Sequence, residues 1–176
     1  SPLGIFKEAW LPSTEIKPGS RGYIIPIGGA EDKVRDRTIL KRFVELCGGK
    51  EACIAVIPTA SSLDDTGSRY VGIFESVGVK DIRVLDITER NDAESPEQLS
   101  KIEGVTGVFM TGGNQLRLST VLGGTSVATQ IRRLNASGVH VAGTSAGAAF
   151  ISEHMIAFGS EGATPVAGNV TLAPGL

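Results

Sequence analysis

The sequence is poor in several residue types that would point to a function at once. Its 176 residues include two cysteines, two histidines and one tryptophan, and aromatic residues make up 5%. The formal net charge is −2, and the basic residues are scattered along the chain. Proteins that bind nucleic acid concentrate basic residues on one surface, so we expect no nucleic-acid partner.

Cysteine is too sparse for a disulfide framework or a zinc site. Cys47 and Cys53 lie in apolar contexts, without a Cys-x-x-Cys motif and without a cluster of cysteine and histidine. We therefore predict two buried free thiols, no bound metal, and a reducing compartment, the cytoplasm.

Long apolar runs are missing as well. No stretch reaches the roughly 20 residues needed to cross a membrane, and the first ten residues lack the organisation of a signal peptide. We expect no membrane partner.

With 41% hydrophobic and 20% charged residues, the chain is typical of one globular domain. We assign residues 1–21, which contain three prolines, to an N-terminal arm and residues 22–176 to an α/β domain.

Short apolar runs alternate with amphipathic segments along this domain. Apolar residues recur at helical spacing in 36–47, 68–78 and 126–137, and Ser95-Pro96-Glu97 is typical of a helix start. The alternation predicts βαβ units and a three-layer α/β/α sandwich with a mostly parallel sheet, whose ligands bind beyond the carboxyl ends of the strands. The runs predicted as strands are YIIPIGG (23–29), ACIAVIPTA (52–60), IRVLDI (82–87), GVFMTGG (107–113) and VHVAGTS (139–145).

The segment HVAGTSAGAAF (140–150) places a Gly-x-Ser-x-Gly turn between a strand pattern and a helix-competent run. This arrangement is typical of a nucleophile elbow, in which a serine stands on a strained strand-to-helix turn. Such a turn needs small residues two positions to either side, and Gly143 and Gly147 supply them. The amide of Ala146 would point at a developing oxyanion. We predict that Ser145 is a nucleophile; the alternative is a structural turn serine.

A second, similar pattern tests how specific this signal is. Gly124-Thr125-Ser126-Val127-Ala128 resembles the same motif, but a helix pattern, QLRLSTVLGG, precedes it instead of a strand. We reject it as an elbow and interpret Ser126 as a helix cap, with Thr125 as the alternative cap.

The turn Thr111-Gly112-Gly113-Asn114-Gln115 allows two interpretations. It is either a tight strand-to-helix turn with Asn114 capping the next helix, or a second oxyanion donor through a glycine amide, with Gln115 reaching the substrate. The pattern alone favours neither.

Four segments together resemble the cyanophycinases, serine peptidases related to dipeptidase E: IPIGGAEDK, IPTAS, TGGNQLRL and GTSAGAA. The resemblance runs from about Gly22 to the last residue. It implies a class I amidotransferase-like fold, a homodimer, a serine nucleophile and no metal or other cofactor. It also implies hydrolysis of multi-L-arginyl-poly-L-aspartate to β-aspartyl-arginine dipeptides.

Carried over residue by residue, the resemblance assigns roles to five positions. Ser145 matches the nucleophile, and Gly113 and Ala146 match the region that binds the oxyanion. Gln115 matches a glutamine that contacts substrate. Glu161, in FGSEGATP, is the best match to the acidic member of the triad, while spacing also allows Glu153. The alternative for either glutamate is a solvated surface carboxylate.

The base that activates the serine is the missing piece. His140 precedes Ser145 in the strand, where we expect core packing or an indirect contact, and His154 lies on a helix that runs away from the nucleophile. In the resembled family, the catalytic histidine follows a segment like TLAPGL, at which this chain ends. We expect that residues beyond Leu176, on a second polypeptide fragment or in a longer chain, complete the site. The alternative is a short inactive relative.

Our hypothesis from the sequence is therefore a serine exopeptidase of the cyanophycinase type. Ser145 would attack the carbonyl of a β-linked aspartyl residue. An aspartyl dipeptidase of the dipeptidase E type and a non-catalytic binding protein remain the alternatives.

Overall fold

The computed structural model describes residues 21–28 and 33–152, and these residues alternate strands with helices. The strands are β1 (Ile24–Ile27), β2 (Cys53–Ile57), β3 (Asp81–Val84), β4 (Gly107–Met110) and β5 (His140–Thr144). The α-helices are α1 (Lys33–Leu46), α2 (Thr66–Ser76), α3 (Pro96–Lys101), α4 (Gln115–Leu122), α5 (Ser126–Ala136) and α6 (Ala146–Ile151). Short 3₁₀ turns cover Gly49–Glu51 and Asp92–Glu94.

The five described strands form one parallel sheet in the order β1-β5-β4-β2-β3. Strand β5 therefore lies between β1 and β4, with Ile27 opposite Thr144 and Met110 opposite Gly143. The chain moves one way across the sheet from β1 to β3 and then returns to β4 and β5. Since crossovers are right-handed, the helices that precede the reversal lie on one face of the sheet and those that follow it lie on the other.

Two apolar clusters fill the two faces of the sheet. Side chains of α1 and α2, such as Phe43 and Phe74, pack on one face. Side chains of α4, α5 and α6, such as Leu118, Ile131 and Phe150, pack on the other. Neighbouring residues of β2 and β4 alternate between the clusters, as expected for strands buried on both faces. The predicted three-layer α/β/α sandwich is confirmed.

Several local expectations are confirmed as well. Ser95 precedes α3 with Pro96 at the first helical position. Both cysteines are buried free thiols. None of the described helices combines the length and apolar composition that a membrane crossing requires. The predicted arm, apart from its last residue, lies outside the described residues.

Candidate active site

Ser145 occupies the turn between β5 and α6, at the carboxyl edge of the sheet. Its φ is 54° and its ψ is −114°, and no other described residue except glycine has a positive φ. Such a conformation costs an L-residue of the order of 1–3 kcal/mol and persists only where the surrounding structure fixes it. The fixing contacts here include a hydrogen bond of 3.2 Å from the Ser145 amide to the Ile27 carbonyl of β1. The residue is exposed.

The glycines on either side of Ser145 are required by close backbone contacts. A Cβ atom at Gly143 would lie 2.5 Å from the carbonyl carbon of Gly147, and one at Gly147 would lie 2.4 Å from the Met110 carbonyl oxygen. Both distances are shorter than real Cβ contacts allow. Helix α6 can therefore start directly against β5 and β4 only because both positions lack a side chain.

The turn that follows β4 lies beside this serine. A Cβ at Gly112 would be 3.2 Å from the Cβ and 3.7 Å from the Oγ of Ser145. Gly113 has φ 144°, and a Cβ there would overlap the Ala60 carbonyl oxygen at 2.1 Å. The two glycines thus bring the turns after β2, β4 and β5 together and leave open space over the Ser145 hydroxyl.

Two backbone amides lie at these turns, one on Gly113 and one on Ala146, which is itself 7% exposed. Among the described residues, none accepts a hydrogen bond from the amide of Gly113 or of Ala146. Gly113 is exposed, and Ala146 is the first residue of α6. A hydroxyl beside unpaired amides can attack a carbonyl carbon while the amides hold the oxygen that becomes negative.

The helix after Gly113 confirms the interpretation in which Asn114 caps it. The Asn114 side chain accepts hydrogen bonds from the amides of Leu116 and Arg117, at 2.9 and 3.3 Å, so it caps α4. Gln115 is the first residue of this helix and is half-buried. The cap is compatible with an oxyanion role for Gly113, because the cap uses a side chain and that role uses a backbone amide.

His140 lies at the opposite end of β5 from Ser145. Ser145 follows His140 by five positions, or about 16 Å at the usual rise per residue. His140 is 1% exposed and stacks on Tyr23 with ring centroids 5.1 Å apart, and its Nδ1 accepts the Tyr23 amide at 2.9 Å. Burial lowers the pKa of His140, and the backbone of Leu46 raises it to a smaller extent. The Nε2 atom of His140 is buried and has no hydrogen-bond partner among the described residues. His140 therefore packs in the core and does not reach Ser145, which confirms the expectation of core packing.

The family model of peptidase family S51 matches residues 24–171. The chain belongs to peptidase family S51. It is 46% identical over 158 residues to a cyanophycinase of Geminocystis herdmanii, and the matched region covers 89% of this chain and 58% of that protein. It is 44% identical over 166 residues to a cyanophycinase of Synechococcus elongatus, with 93% of this chain and 52% of that protein covered.

These identities confirm the resemblance to cyanophycinases that the motifs indicate. The chain of this S51 family member spans about half the length of the curated relatives it matches. A crystal structure of a peptidase from an acI-B1 Actinobacterium superposes with a TM-score of 0.66 at 23% identity, covering 77% of this chain and 59% of that one. At this identity the superposition shows the fold alone.

Three residues weighed from the sequence of this S51 chain, Glu153, His154 and Glu161, lie outside the described residues. Within residues 21–28 and 33–152, no group of three or more histidine, cysteine or acidic side chains gathers as a metal site would require. The described part of the site thus consists of Ser145, the turn at Gly112 and Gly113, the start of α6 and the start of α4.

The second serine motif differs from the first as predicted, with one correction. Ser126 follows the end of α4 and a glycine pair, and no strand leads into it. Ser126 is not the cap, however: the Thr125 hydroxyl accepts the Ala128 amide, and Ser126 is the first helical residue and hydrogen bonds to Glu94. Sequence reasoning also missed Gly112 as the residue that leaves space over Ser145. Its position beside Gly113 at a strand end was the available signal.

Proposed function

We propose that this chain is the nucleophile-bearing part of a serine exopeptidase of the cyanophycinase type, which hydrolyses multi-L-arginyl-poly-L-aspartate to β-aspartyl-arginine dipeptides. The observation that carries the proposal is Ser145, an exposed serine with a positive φ on a strand-to-helix turn. The identity of 46% to a protein named cyanophycinase supports the choice of substrate.

The chemistry follows from the product. Because the dipeptide keeps its bond between the aspartyl side chain and arginine, the bond that breaks is the main-chain amide between aspartyl residues. The Ser145 oxygen adds to the aspartyl carbonyl as its proton passes to a base. The tetrahedral intermediate expels the amine, which takes up a proton, and leaves an ester on Ser145. Water then hydrolyses the ester and frees the carboxylic acid.

The roles of the backbone groups follow the same logic. We propose that the amides of Gly113 and Ala146 stabilise the negative oxygen of both tetrahedral intermediates, and that Gln115 contacts the substrate. Support comes from the absence of another acceptor for these amides among the described residues and from the space over the hydroxyl left by Gly112. Losing one oxyanion donor typically costs about 10²–10³ in kcat.

The base in this proposal is a histidine supplied beyond Leu176, oriented by Glu161. His140 does not qualify, since it faces the core at the other end of β5. The resemblance also supports a homodimer, for which light scattering of the purified protein should return twice the mass of one polypeptide. A mass equal to one polypeptide would remove that part of the proposal.

The decisive experiment replaces the two serines of similar sequence context. In the complete polypeptide, Ser145→Ala should lower the rate of polymer hydrolysis by about 10⁴–10⁶-fold and abolish covalent labelling by a fluorophosphonate. The matched control is Ser126→Ala, which should leave both the hydrolysis rate and the labelling at the level of the parent protein. Unchanged turnover of the Ser145→Ala protein would refute the assignment.

The choice of substrate needs a separate measurement. The arginyl polymer should be hydrolysed to dipeptides, while dipeptides that begin with aspartate should not be. The reverse preference would indicate an aspartyl dipeptidase. Failure of both substrates together with failure of fluorophosphonate labelling would favour a non-catalytic binding protein.

A further inference from the structure

A second open pocket lies at the same edge of the sheet, beyond the carboxyl ends of β2 and β3. Its volume is about 520 Å³, within the range of sites that hold small molecules. The chain segments after β2 and β3 form most of its wall, and Arg117 of α4 completes the lining. None of the residues assigned above to the catalytic chemistry lines this pocket.

The pocket adjoins the proposed active site through two shared elements. The turn after β2 lines the pocket, and its Ala60 carbonyl accepts the Asn114 amide at 2.8 Å beside Gly113. Helix α4 carries Gln115 at its start and Arg117 two residues later. The pocket and the Ser145 turn therefore share the turn after β2 and the start of α4.

Arg117 is an unusual wall residue, because no described residue pairs with its charge. Its Nε is buried without a hydrogen bond, and among the described residues none accepts a hydrogen bond from the guanidinium or pairs with it. A half-buried guanidinium that is left unpaired is costly, since burial removes water from its donors. Its fork of donors fits a carboxylate with two parallel hydrogen bonds.

An opposite charge without a partner lines the same pocket. Asp64 is exposed and forms no ion pair with any described cation, Arg117 included. The other carboxylate of the wall, Asp86, is already paired with Lys101 at 3.1 Å. Among the described residues that line it, the pocket thus offers one cation and one anion without a described partner, and these two do not pair with each other.

We propose that this pocket is a subsite for one arginyl branch of the polymer, next to the branch that is released. The proposal rests on the proposed function. Each branch is an arginine acylated on its α-nitrogen, so it carries a free carboxylate and a guanidinium. Arg117 binds the carboxylate, and Asp64 binds the guanidinium. A pocket with two separated, opposite charges recognises such a zwitterion better than it recognises either charge alone.

The test measures binding to the complete polypeptide with three small probes. N-acetylarginine carries both charges of a branch, N-acetylagmatine lacks the carboxylate, and N-acetylcitrulline lacks the cation. Calorimetry should find N-acetylarginine bound about 10- to 100-fold more tightly than either of the others. Equal affinity for the three probes would overturn the proposal.

Substitutions assign each charge to its residue. Arg117→Gln should remove the advantage of N-acetylarginine over N-acetylagmatine, and Arg117→Lys should restore part of it. Asp64→Asn should remove the advantage over N-acetylcitrulline. The matched controls are Arg133→Gln, an exposed arginine on α5, and Asp65→Asn, the neighbour of Asp64 that does not line the pocket. Both controls should bind all three probes like the parent protein.

The failure of the subsite and of the proposed function can be told apart. If the polymer is hydrolysed through Ser145 but the Arg117 and Asp64 variants select among the probes like the parent, the subsite is wrong and the function stands. If the probes are selected as predicted but the polymer is not cleaved, the subsite stands and the function is wrong. Thermal unfolding shows whether each variant is folded, and Asp64 is exposed enough for its variant to keep the fold.

Discussion

At the scale of single residues, the main feature is the conformational cost at Ser145. A backbone with φ 54° and ψ −114° is unfavourable for any residue with a Cβ atom. The structure holds it through the amide bond to Ile27 and through the tight start of α6 between Gly143 and Gly147. We interpret this backbone strain at Ser145 as the free-energy cost of holding its hydroxyl exposed at the turn.

This cost predicts a stability gain in a variant that cannot function. Ser145→Gly should raise the free energy of unfolding by about 1 kcal/mol, because glycine adopts this backbone without strain and the gain exceeds its larger loss of chain entropy. Ser145→Ala is the matched control, since it removes the same hydroxyl but keeps the Cβ. Denaturant titration of the two variants measures the difference. Equal stability of the glycine and alanine variants would contradict strain at this turn.

His140 supplies a prediction on pH. Burial lowers the pKa of its folded form below the ordinary value of 6.5. As the pH falls below that value, the unfolded histidine takes up a proton before the folded one does. Its contribution to stability is therefore full above about pH 6.5 and is lost as the pH falls towards the lower folded pKa, by at most about 1.4 kcal/mol per pH unit.

The variant His140→Asn isolates this effect. Asparagine can still accept the Tyr23 amide but does not titrate. Thermal unfolding between pH 7.5 and 5 should show the parent protein losing more stability than the variant over the same interval. Carboxylates contribute equally to both proteins and cancel in the comparison. Parallel curves would mean that His140 titrates alike in the folded and unfolded states.

At the scale of elements, the sequence predicts most of what surrounds the serine. Four of the five apolar runs predicted as strands contain an observed strand, and the fifth, 82–87, overlaps β3, which begins one residue earlier at Asp81. The agreement arises because buried parallel strands are apolar throughout and end at glycine or polar turns. The caps Asn114 and Thr125 are each one of two alternatives that side-chain chemistry allows at these turns. The prediction of Ser126 as the cap of α5 was wrong by one residue, because either of two adjacent hydroxyl residues could cap the helix.

Other local features do not follow from the sequence pattern. Arg117 lies in a helix, and its place in the sequence does not distinguish it from a solvated charge. Only the placement of the turn after β2 shows that Arg117 lines a pocket and has no partner among the described residues. The role of Gly112 likewise depends on its approach to Ser145, 33 positions away in the chain. Both are contacts between segments distant in sequence, and periodicity carries no information on them.

At the scale of the whole molecule, the order of the strands decides where the site forms. Placing β5 between β1 and β4 puts the Ser145 turn against the ends of both neighbours. The sequence predicts a parallel sheet but not this order, since several right-handed arrangements accommodate the same elements. The order also places one half of the apolar core on each face of β2 and β4.

The two cysteines report on whether these halves unfold together. Cys47 belongs to the cluster under α1 and α2, and Cys53 to the cluster on the other face. They are 3% and 6% exposed. Burial raises the pKa of both thiols; that of Cys53 reaches about 11, with a further contribution from the neighbouring Asp81 carboxylate. The native thiols are therefore protected both by packing and by the scarcity of thiolate, which is the reactive form.

Because the central strands contribute side chains to both clusters, opening one face removes support from the other. We expect iodoacetamide to modify Cys47 and Cys53 at the same rate under mildly denaturing conditions, with peptide mass spectrometry reading each thiol separately. That common rate should rise with denaturant in parallel with the fraction unfolded measured by circular dichroism. A thiol that reacts at a rate independent of denaturant, while the other follows global unfolding, would show that one face opens by itself.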